Sequence, residues 1–155
     1  MSARRAALSS YISHIEPLRL AVNRLLEAAD PILSAYHDGH IDGARAATRM
    51  DALERRFAAD STDIAAIRPR TATLRSLHAV YAHTYVFEDA YLSALVVGLR
   101  EHDLDDLPDT QDAQRAAIIQ WRIGLEVAAR EAGVKLPVDI QVAGRGEIAP
   151  APSGS

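Results

Sequence analysis

The chain has 155 residues, enough for one domain with a sizeable core, and 48% apolar with 25% charged residues places it among globular rather than disordered proteins. A formal charge of −4 lacks the positive field of a nucleic-acid binder, and 5% aromatics with abundant alanine favour close-packed helices over a sandwich or barrel. The absence of cysteine excludes disulfides, thiolate nucleophiles, Fe–S clusters, cysteine-ligated zinc and covalent haem.

The longest apolar run, Tyr91 to Leu99, is too short to span a bilayer. The basic start Met1-Ser2-Ala3-Arg4-Arg5 is not followed by a signal-peptide apolar core. The chain therefore reads as soluble, compatible with a cytoplasmic protein or an exported domain lacking its leader.

Leu8, Tyr11, Ile15, Leu18, Val22, Leu25, Ala29, Ile32 and Tyr36 recur at spacings of three and four, a heptad-like seam. Pro17 and Pro31 interrupt it, but the register survives both. The pattern predicts one long, locally kinked helix from Ala3 to Tyr36. The alternative is a break in which Asp30 caps a new helix and Pro31 is its first residue. A glycine-containing turn follows, then a second helix from about Ile41 to Ile67, with a weak point at Asp60-Ser61-Thr62 and a stop at Pro69.

The third helix is expected from Thr71 to His102. One seam of it reads Leu74, His78, Tyr81, Tyr85, Glu88, Leu92, Leu95, Leu99 and His102. The fourth is capped by Asp109 or Thr110, uses Ile118, Trp121 and Leu125 inward, and stops at Gly133, a left-handed glycine end with Pro137 beyond. Val138, Ile140 and Val142 then alternate, as in a short strand or extended arm. Short connections imply antiparallel neighbours. The expectation is an all-α, up-down-up-down four-helix bundle over residues 1–133, with an irregular, extended and partly disordered tail over residues 134–155.

Polar residues on an apolar face carry what functional signal there is. His78, Tyr81, Tyr85 and Glu88 share a seam, and helix levels counted from the loops place His14 beside His78 and Arg24, Arg55 and Arg122 near Glu88. A buried carboxylate needs a partner, so Glu88 is expected to be buried within reach of an Arg or Tyr. Two readings fit: a satisfied core network that fixes register, or a ligand pocket with these groups as polar handles. Acid–base catalysis has less support, since no nucleophile, oxyanion donor or phosphate loop accompanies the stripe.

His37, His40 and His102 lie at one end and form the candidate metal set. Histidines are equally at home in helix-terminal turns, where they favour the dipole. The chain has no Glu-x-x-His, so a ferritin-like di-iron centre is set aside. Non-covalent haem would require Met50 with a histidine. The functional expectation is a non-enzymatic helical module that binds a partner protein or small ligand, with no cofactor predicted and self-association left open. The alternative is a bundle that holds metal or haem for storage, sensing or redox chemistry.

Overall fold

The computed structural model describes residues 2–144, and every regular element among them is helical, with no strand. The elements are α1 (Ala3–Glu27), α2 (Ala29–His37), α3 (Gly43–Ala66), α4 (Ala72–Glu101), α5 (Gln111–Ala132) and the single turn α6 (Val138–Gln141). No helix is long and apolar enough to cross a membrane among the described residues.

The first long helix is broken, contrary to expectation. α1 runs through Pro17 but ends at Glu27, and α2 starts at Ala29. Pro31 supplies the reason: it has no N–H to offer the Glu27 carbonyl, and its ring crowds that carbonyl. The chain therefore leaves helical bonding one turn upstream, with the Ala28 N–H reaching back to Arg24 and Leu25 at 3.3 and 3.1 Å. Pro31 falls in the first turn of α2, where intrahelical donors are not needed. The break is thus earlier than the Asp30 cap the sequence suggests.

The other helix ends follow local chemistry. Asp42 caps α3 by accepting from the Arg45 N–H at 2.8 Å, and Thr71 caps α4 by accepting from Leu74 at 3.2 Å. α3 continues unbroken through Asp60-Ser61-Thr62. Thr110 occupies the cap position of α5, but its hydroxyl makes no capping bond. Gly133 closes α5 in the left-handed region at φ 66, and the Val134 N–H bonds the Ala129 carbonyl at 2.9 Å.

The alternating Val138, Ile140 and Val142 do not form a strand. They make one helical turn, with Ile140 fully buried and Val138 71% exposed. Pro137 fixes the entry to this turn, and Leu136, Ile140 and Ala143 pack inward against the helices. Among the described residues no second extended segment lies alongside to accept strand hydrogen bonds, and the segment closes its own. The remainder of the expected tail, 145–155, lies outside the described residues.

α3 and α4 form the most extensive pair; α4 also packs on α5, and α1 packs on both α3 and α5. The α3–α4 approach is closest where α3 begins. A Cβ on Gly43 would collide with the Leu99 carbonyl oxygen and the His102 ring. That carbonyl is backbone and cannot swing away, so Gly43→Ala should lower stability by about 1–3 kcal/mol. A melting temperature equal to wild type would show that the helices can part at no cost.

Candidate functional site

His78, Tyr81, Tyr85 and Glu88 are all buried, as their shared seam on α4 requires. Several of their partners arrive from α1 and α5. The His78 Nε2 lies 2.8 Å from the Ile64 carbonyl, an acceptor only, so that nitrogen carries the proton. Nδ1 is then the acceptor and receives the Tyr11 hydroxyl at 2.8 Å. The Tyr11 oxygen accepts from the Trp121 indole N–H at 3.0 Å. One proton arrangement therefore satisfies three helices and the last turn of α3.

A second string begins at Arg19, which is fully buried. Its Nη1 donates to the Tyr81 hydroxyl at 2.9 Å, and that oxygen lies 2.7 Å from the Tyr85 hydroxyl. The guanidinium also sits 4.9 Å from the Trp121 ring and 5.4 Å from the Tyr81 ring, faces that attract a cation. Those two rings stack at 4.2 Å. On its outer side, Arg19 Nε is 3.7 Å from Asp139 on α6.

Glu88 ends the stripe. The Gln114 side-chain amide donates to it at 2.8 Å and to the Thr84 carbonyl at 3.3 Å. Among these groups, burial pushes the Tyr11 phenol well above its usual range and lowers His78. Tyr91 is pushed up to about 12, first by burial and then by the neighbouring Glu88 charge. Tyr11 and His78 are both neutral at pH 7, which suits their mutual hydrogen bond.

Little space remains beside Tyr81, Tyr85 and Glu88. The cavity bounded by Val22, Phe57, Tyr85, Glu88 and Gln114 measures about 20 Å³, room for a single water. The buried Gln114 Oε1 has no protein hydrogen-bond partner, so one water there would meet polar company.

Several sequence-predicted members lie elsewhere. His14 is exposed and bonds its own helix at the Ser10 carbonyl, because it sits one residue off the inward seam occupied by Ile15 and Tyr11. Arg24 is exposed, Arg55 pairs with Asp51 at 3.0 Å on the surface, and Arg122 reaches the Ala143 carbonyl at 2.9 Å. None of these three is the partner of Glu88. Arg19 and Gln114 were missed, although spacing marks both: Arg19 is four residues after Ile15 and three before Val22, and Gln114 is four before Ile118. Their polarity masked their place on the seams.

His37, His40 and His102 are exposed. The Tyr36 ring lies 5.5 Å from the His37 ring and 6.5 Å from that of His102. No three His, Asp or Glu side chains among the described residues come together as a metal site. Met50 is fully buried.

Two features were not anticipated. A groove of about 620 Å³ runs between α1 and the 134–137 connection, lined by Ile12, Pro17, Leu20, Val134 and Pro137, with Arg24 and Lys135 as cations. Carboxyls also meet in pairs. Glu16 faces Asp139 and is pushed up to about 8 by burial and then by Asp139; Glu54 faces Asp89 and is pushed up to about 7 in the same way.

Tyr11→Phe strands both the Trp121 N–H and the His78 Nδ1, so it should cost about 1–3 kcal/mol in a urea titration. An unchanged midpoint would remove the hydrogen-bonded string from the list of stabilising interactions. The depressed His78 adds a pH signature. Its contribution is present above the unfolded value of 6.5 and is lost as pH falls through the folded value. The stability advantage of wild type over His78→Gln should therefore shrink as pH falls below the unfolded value of 6.5. A constant gap in melting temperature over that range would contradict a neutral, buried imidazole. No protein-family model, curated protein or solved structure matches this chain.

Proposed function

We propose that the chain is a non-enzymatic helical module that binds a small amphipathic ligand in the groove between α1 and the 134–137 connection. Its helices form an up-down-up-down four-helix bundle, with α1 and α2 together as the first arm. The pairing of α1 and of α4 with both α3 and α5 supports that arrangement.

The observation that carries the ligand reading is the contrast in room. The polar core leaves about 20 Å³, whereas the groove offers about 620 Å³, within the usual range for small-molecule sites. The lining suits an apolar body, and Leu20 is 42% exposed there. Arg24 and Lys135, the only lysine in the chain, favour an anionic head. The polar stripe on α4 then acts as scaffold, because its groups are occupied with one another.

Binding of a partner protein is the second reading. It is favoured by the outer stripe of α4, where His83, Val86, Ala90, Ser93 and Val97 are exposed without a formal carboxylate, guanidinium or ammonium charge. A bundle holding metal or haem has weaker support, since the core cavity is far smaller than a porphyrin.

Anilinonaphthalene sulfonate, an anionic apolar dye, tests the groove. It should bind the native protein with a blue-shifted emission, and the pair Leu20→Glu, Lys135→Glu should weaken binding roughly tenfold at unchanged helicity. Dye that stays dark on native protein, or binds the double variant equally well, would overturn the assignment.

A further inference from the structure

We propose that one proton, shared between the carboxyls of Glu16 and Asp139 beside the buried Arg19 guanidinium, latches the 134–144 segment onto α1 and holds the outer wall of the groove. As regulation of the groove this rests on the ligand reading; the latch itself does not.

Burial without a donor argues for the proton. Glu16 lies one turn before Arg19 on α1, and both its carboxyl oxygens are out of contact with water. Among the described residues they meet no N–H or O–H donor, and the neighbouring acid is the Asp139 carboxyl. A carboxylate in such a place lacks both solvent and a donor, a costly state. With one proton between the two acids, Glu16 donates to Asp139, and one negative charge balances Arg19. Without it, two carboxylates compete for a single guanidinium whose Nη1 already bonds Tyr81. Among the described residues, Arg24 on α1 and Lys135 in the connection are the further charges that line the groove.

Asp139 belongs to α6, and Val134, Lys135 and Pro137 form one side of the groove. Loss of the proton therefore places repulsion at the point where the segment meets α1. The Arg122 bond to the Ala143 carbonyl and the buried Ile140 keep the far end seated on α5. The near end, which lines the groove, loosens. Burial raises Glu16 to about 8, so the latch is closed at neutral pH and below. The sign follows: this contribution to stability is present below the unfolded value of 4.5 and is lost as pH rises through about 8.

The cysteine-free chain makes the test direct. Val138 is 71% exposed, so Val138→Cys gives a single point for a nitroxide spin label on α6. The label should be immobilised at acid to neutral pH and gain mobility with a midpoint of about 8. In Glu16→Gln, whose amide donates at every pH, the label should stay immobilised throughout, and Asp139→Asn should likewise abolish the transition. A wild-type spectrum unchanged up to pH 10, or a transition that persists in Glu16→Gln, overturns the latch. Repeating the anilinonaphthalene sulfonate titration at pH 6 and pH 9.5 separates the two ideas. Intact dye binding with a flat label response refutes the latch alone, and a normal label response without dye binding refutes the ligand reading alone.

Discussion

A guanidinium taken wholly out of water has to replace its hydration with acceptors and polarisable faces, and the interior around Arg19 is arranged to do that. The Tyr81 hydroxyl accepts from it, the Trp121 and Tyr81 rings lie against it, and Asp139 stands on its outer side. Four elements are thereby committed: α1 carries the cation, α4 and α5 supply the rings, and α6 brings the carboxylate. Removing any one partner would leave a buried charge under-compensated, which is far more damaging than losing an exposed ion pair.

The second string works with directed bonds rather than charge. Trp121, Tyr11, His78 and the Ile64 carbonyl form a chain in which each donor has one acceptor and each proton one place. Apolar side chains alone tolerate a helix sliding by part of a turn, whereas this chain of bonds does not. Its geometry specifies the relative level of α1, α4 and α5, a use of buried polarity better attested than direct stabilisation. At the surface, α1 and the 134–137 connection leave a groove.

Much of the helical layout was legible in local chemistry. Gly133 marks a helix end because a left-handed glycine acts within a few residues of itself, whereas Asp42 and Thr71, which cap α3 and α4, were not read as caps. Pro31 was legible as a disturbance, but the place of the break depended on which carbonyl its ring opposes, four residues upstream. The alternation at Val138, Ile140 and Val142 misled, since a run this short fits one helical turn as well as a strand and only the surrounding surface chooses between them. The candidate site was half legible: periodicity put His78, Tyr81, Tyr85 and Glu88 inside, but levels counted from loops could not choose among arginines.

The sequence by itself determined that the chain is helical, where most helices start and stop, and which face of α4 turns inward, because these depend on spacing along one chain. Tertiary structure alone decided who meets that face. Arg19 rather than Arg24 reaches the stripe, Tyr11 rather than His14 meets His78, and Gln114 donates to Glu88. Hydrogen bonds and ion pairs discriminate over a few tenths of an ångström, while the rotation and height of one helix against another are set by all their packed side chains together. The meeting of Glu16 with Asp139, more than a hundred residues apart in the chain, belongs to that second kind of information.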